Sequence, residues 1–214
     1  YQSKEDNTIT DTLTSVLDGM KEIDSSIFYL KDTGIYKLGN VIFYHTSVFD
    51  IDCLSEPTME KYNQRKSFLQ KKDLNYDNCF HIGTLHCGIE TQMLDNGHML
   101  KDFAYRLDDI KQYDFTMLGD NHKHQYLDDT IAYPGSLIQQ NHRESHINHG
   151  YILWDLNKKC GEFHVIPNDY GFIKINIKQD TDINTIDFPK NTRLKLIYNI
   201  KQDIELIKTE IRLR

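Results

Sequence analysis

Long apolar runs are missing from this sequence. No stretch approaches the roughly 18 consecutive apolar residues that a membrane helix needs. No charged segment followed by an apolar one marks a secretory leader. A surplus of positive charge is missing as well. The 25 Lys and Arg stand against 32 Asp and Glu, a formal net charge of −7. That balance argues against holding nucleic acid by bulk electrostatics and leaves the task to a local basic path or a partner subunit. Cysteines are few: Cys53, Cys79, Cys87 and Cys160 stand apart with no C-x-x-C pair. Reduced thiols in an intracellular compartment are the reading that follows.

What is present is the composition of a globular chain. Its 214 residues are 39% hydrophobic and 27% charged, enough for one sizeable core or one domain plus part of another. The chain starts at Tyr1 and stops in the helical pattern of residues 204–214 without a stop signal. It is therefore expected to be a segment of a longer protein.

Taken in order, residues 7–20 place Ile9, Leu13, Val16, Leu17 and Met20 at helical spacing. Apolar stretches at 27–30, 35–38 and 41–47 are separated by Asp32-Thr-Gly34 and Gly39-Asn40, which predicts a β meander. His45, a lone imidazole in the last of these, suits a hydrogen-bonded face histidine. Lys61, Arg65, Lys66, Lys71 and Lys72 read as a solvated basic face in a polar stretch. Residues 80–85 form a candidate buried strand ending at His86, 98–110 a candidate amphipathic helix, and 115–118 a second strand. A strand–helix–strand crossover makes the strands parallel and puts their carboxyl ends on one edge. On that expectation His86 meets Asp120 and His122. Residues 149–156 and 160–166 predict a hairpin, and 172–177 and 193–198 two later strands.

The chemistry concentrates in Gly119-Asp-Asn-His-Lys-His124. A carboxylate and an imidazole two positions apart at a strand end, with no thiolate, suit Mn²⁺, Fe²⁺ or Zn²⁺. The same residue types also suit a turn. Cys87 reads as small buried packing. Pro134-Gly135-Ser136 fits a type II turn with Gly at positive φ. His142, His146 and His149 make a histidine-rich patch, and Trp154 reads as core.

The run LGDNHKHQ at 118–125, followed by AYPGSLIQQN at 132–141 and HGYILWDL at 149–156, resembles the SbcD-type DNA repair nucleases of the calcineurin-like metallophosphoesterase superfamily. IGTLHCG at 82–88 is similar to their preceding histidine motif, and Asn168-Asp-Tyr-Gly171 to the entry of their capping domain. The similarity spans about residues 7–200.

That resemblance implies an α/β fold, part of a four-layer αββα sandwich over residues 1–168, with the start of a β-rich cap at 169–214. It implies metal ligands at His86, Asp120 and His122 for two divalent ions, Mn²⁺ preferred and Mg²⁺ possible. Tyr133, Gly135, Ser136 and His124 would border the substrate. Asp120 stands where the family's G-H-x-H motif has its first histidine, which makes the ligand set harder and more anionic. The family's D-x-H, G-D-x-x-D and G-N-H-D/E motifs do not occur here. The histidine that protonates the leaving group is expected upstream, and this segment alone is expected to be inactive. The implied partners are DNA, an SbcC-type coiled-coil ATPase and a second copy of the chain, with no membrane. Two rival functions are a phosphoesterase for a small phosphoester and a non-catalytic docking relative.

Overall fold

A computed structural model describes residues 28–49, 76–94, 97–178, 181–182 and 185–198, with single positions at 20 and 67. The helix expected at 7–20, apart from Met20, and the basic face of 61–72 lie outside the described residues. The chain divides into two compact units, Tyr1–His86 with Asp108–Met117, and Cys87–Leu107 with Leu118–Arg214.

In the first unit, β1 (Gly34–Leu38) and β2 (Val41–His45) form an antiparallel hairpin in which Leu38 faces Val41. Gly39 closes it at a φ of +60°, a conformation that favours glycine. β2 runs parallel to β3 (Phe80–His86), with Val41 opposite Phe80 and His45 opposite Thr84. β3 in turn neighbours β4 (Phe115–Gly119). Period-2 alternation buries Ile42 and Tyr44 of β2 on one face. They pack with Ile35, Tyr76 and Cys79, and Tyr113 leans on this cluster. The Tyr44 hydroxyl meets the Tyr76 hydroxyl and lies 2.9 Å from His81 Nδ1. Burial pushes the Tyr44 phenol far above its ordinary range. His45 Nδ1 lies 2.9 Å from Thr84 Oγ1, a bonded face histidine.

In the second unit the last residues of β4 are followed in the sheet by β6 (Ile131–Tyr133) and then β5 (Gln125–Asp128), a tight antiparallel pair with a bulge near Tyr126. β6 is buried at every position. β7 (Gly150–Asp155) and β8 (Cys160–Val165) form the hairpin predicted from their turn. β9 (Tyr170–Ile177) and β10 (Asn191–Tyr198) form a separate parallel ribbon.

The expected αββα sandwich is overturned. Among the described residues the fold is 43% strand and 7% helix, a β-rich architecture with a mixed sheet. The helix expected over 98–110 shrinks to one turn, α1 (Leu107–Ile110). Before it the chain pairs with itself instead: Met93 bridges Met99, Ile89 bridges Tyr105, and Leu100 N donates to Gln92 O at 2.9 Å. Met99 and Phe103, placed on the buried face of that helix, are 58% and 40% exposed, while Ile89 and Tyr105 are buried. Tertiary burial selected a different apolar set from the one helical spacing picks out. The strand expected at 27–30 is also irregular at its described positions 28–30.

Candidate functional site

β4 is an apolar strand with Phe115, Thr116 and Leu118 buried, and it delivers the chain to the surface at Gly119. Asp120 follows at a φ of +86°. The left-handed region is costly for a side chain with a Cβ, though Asp tolerates it better than most. Asn121 then turns inward. Its Nδ2 donates to Met93 O at 3.1 Å and its Oδ1 accepts from Lys123 N at 3.0 Å. With Asn121 anchored, Asp120 and His122 stand exposed on either side of it.

Both line a cleft of about 550 Å³, together with Arg143, Glu144 and Lys174. Within it His122 Nδ1 lies 2.9 Å from Glu144 Oε1. The Glu144 side chain is 5% exposed, against 43% for His122. Glu144 Oε2 also accepts from Gln140 N at 2.8 Å, and Asn141 Nδ2 donates to Oε1. A carboxylate fixed in this way orients the imidazole and assigns its Nδ1 as the protonated nitrogen. Nε2 is then the atom left for a ligand or a proton. Glu144 had no sequence signal, since it reaches His122 only through the folding of the 134–149 loop.

That loop is held by Gln139, which is 4% exposed. Its Nε2 donates to Glu144 O at 2.8 Å and to Phe172 O at 2.9 Å, and its Oε1 accepts from Phe172 N at 2.7 Å. Gln139 thus takes the place of a strand partner for β9 and pins the Glu144 loop to the strand that carries Lys174.

The other expected site residues fall in distinct places. His86 ends β3 as an exposed residue of the first unit, whereas Asp120 and His122 belong to the second. Tyr133 is fully buried, its hydroxyl 2.7 Å from Cys87 O and 2.9 Å from Gln92 Oε1 while accepting from Ile89 N. Gly135 has a φ of +80°, and its backbone packs directly against His122 and His124. Ser136 N donates to His122 O at 3.1 Å. His124 stacks on Phe163 with ring centres 3.7 Å apart, and its Nε2 is buried with no hydrogen-bond partner among the described residues. Burial pushes its pKa below the usual imidazole value.

Of the histidine patch, His149 is buried between Ser136 and Ser145, and His142 lies 3.1 Å from the Arg193 carbonyl. Trp154 is half-buried, edge-on to Tyr126.

A divalent ion bound by protein requires several donors on one point. Among the described residues no three His, Cys, Asp or Glu side chains are grouped to hold one. The side chains described here therefore do not fit a metal centre by themselves. What the cleft does offer is an oriented imidazole, two carboxylates and two cations.

No family model matches the chain. It is similar to the uncharacterized protein R555 of Acanthamoeba polyphaga mimivirus, with 34% identity over 181 residues. The match covers 84% of this chain and 13% of that protein. The chain thus spans a small part of the length of the curated relative it matches. Among the described residues no helix is long and apolar enough to cross a membrane.

Proposed function

We propose that this chain carries the phosphodiester-contacting rim of a metal-dependent DNA nuclease acting in DNA repair or DNA-end processing. The observation that supports this most is the Glu144–His122 pair in the cleft beyond β4, with Arg143 and Lys174 lining the same cleft. Arginine and lysine neutralise phosphate oxygens. An imidazole oriented through Nδ1 leaves Nε2 to bind, or exchange a proton with, a phosphate oxygen. The order of the motifs around residues 82–88, 118–125 and 132–141 supplies the nuclease part of the reading. The resemblance further proposes Mn²⁺ or Mg²⁺ as the ions of the complete centre. It proposes a coiled-coil ATPase and a second copy of the chain as partners.

The test uses the complete gene product with linear DNA and Mn²⁺ or Mg²⁺. Metal-dependent cleavage is expected, and His122→Ala is expected to lower it about 100-fold, as oriented imidazoles in such sites do. The 214-residue chain on its own is expected not to cleave. Cleavage that survives His122→Ala at full rate sinks the assignment of the rim. Binding of DNA ends by the complete product without any cleavage makes it a docking relative instead.

A further inference from the structure

The β9–β10 ribbon pairs in parallel, with Tyr170 opposite Asn191, Phe172 opposite Arg193 and Lys174 opposite Lys195. Partners in register share a face, and alternate residues share it along each strand. The inward face carries Ile173, Ile175, Leu194 and Leu196, all buried or half-buried. On the outward face Tyr170 is 62% exposed, and Lys174, Arg193 and Lys195 are exposed too. Neither strand places an acidic residue on this face.

Two relationships distinguish this face from an ordinary solvated one. Lys174 and Lys195 are direct cross-strand partners, an arrangement that destabilises a sheet through like-charge repulsion. Among the described residues neither has an ion pair. In a chain of net charge −7, two lysines side by side on a ribbon face to which neither strand contributes an acidic residue attract an external anion. Second, the Arg193 guanidinium lies over the Phe172 ring, 5.4 Å from its centre. His142 Nε2 lies 3.1 Å from the Arg193 carbonyl. The ring contact sets a flat cation against Phe172, on the same ribbon face that carries the exposed Tyr170.

We infer that this outward face binds a single strand of nucleic acid. Lys174 and Lys195 take a backbone phosphate between them, while Tyr170 and the Arg193–Phe172 pair offer flat surfaces to unpaired bases. Cations interleaved with stacking surfaces are how single strands are held without sequence preference, and a duplex hides the base faces this requires. Lys174 also lines the cleft of His122, so the ribbon leads a strand toward it. The choice of nucleic acid over other polyanions rests on reading that cleft as a phosphodiester site.

The experiment measures fluorescence anisotropy of a labelled oligothymidylate of roughly 15 nucleotides, a length near the upper site size of one such surface. It uses the 214-residue chain in EDTA, so that binding is read apart from cleavage. Binding is expected to weaken with salt at a logarithmic slope of about −2 for three cations on a single strand. The double variant Lys174→Gln/Lys195→Gln, which relieves repulsion and so keeps the fold, is expected to bind about tenfold more weakly. Tyr170→Ala is expected to lose several-fold in affinity at an unchanged salt slope. Lys158→Gln, on the β7–β8 turn, is expected to bind as the parent does.

Equal affinity of the parent and the double variant overturns the proposal. So does equal affinity for duplex and single strand, or a preference for phosphatidylserine vesicles over the oligonucleotide. Binding here without cleavage by the complete product removes the nuclease reading and leaves the ribbon intact. Cleavage without binding here does the reverse.

Discussion

Glu144 Oε1 lies 2.9 Å from His122 Nδ1, and the carboxylate is nearly buried while the imidazole is not. The buried partner therefore sets the orientation of the exposed one. Nitrogen-detected NMR is expected to find His122 protonated at Nδ1. Glu144→Ala is expected to remove that tautomer preference and, in the complete gene product, to lower cleavage about 10- to 100-fold. An unchanged tautomer in the variant shows that the pair does not orient the ring.

Gln139 is a strut rather than a surface amide. Its loss leaves Phe172 N without its partner and frees the Glu144 loop from β9. Gln139→Ala is expected to cost roughly 1–3 kcal/mol, the range for stranding buried polar groups. Urea unfolding measures it. Tighter coupling of this loop to the site would also make the His122 NMR signals shift in the variant.

Gly135 combines a φ of +80° with close contact to the cleft backbone. A Cβ there would sit 2.8 Å from both His122 O and His124 N. Gly135→Ala is expected to destabilise by roughly 2–4 kcal/mol, part from the left-handed backbone and part from displacing the His122 segment. A variant as stable as the parent, by thermal unfolding, contradicts this packing.

His124 gives the chain a pH dependence of known sign. Its pKa is lowered by burial, whereas the unfolded imidazole titrates near 6.5. Below that pH the unfolded state holds more protons. The contribution of His124 is therefore complete above about pH 6.5 and is lost as pH falls through the folded value. His124→Phe keeps an aromatic ring against Phe163 and removes the proton. Its stability advantage over the parent is expected to grow between pH 7 and pH 5 in denaturant titrations.

Strands bounded by turn residues were legible one by one. Gly39-Asn40 marked the β1–β2 hairpin, Asn157-Lys-Lys159 the β7–β8 hairpin, and Pro134-Gly135 a turn with Gly at positive φ. Each depends on local backbone chemistry that a few residues specify. The stretch at 98–110 was not legible. Met99, Leu100, Phe103 and Leu107 match a helix by spacing, but spacing records only which residues could share a face. The burial of Ile89 and Tyr105 decided otherwise, and with the helix went the αββα layering built on it.

The cleft divides in the same way. Asp120 and His122 were visible as chemistry at a strand end, because an apolar run that stops at a glycine has to surface. Glu144 and Gln139 were invisible, because they act through a loop whose path depends on Phe172, more than 25 residues away in the chain. The pairing of Lys174 with Lys195 is of the same kind. By itself the sequence determined where strands turn and which side chains carry charge or a proton. The tertiary structure alone decided which of them face each other, because register and burial are set by contacts between distant segments.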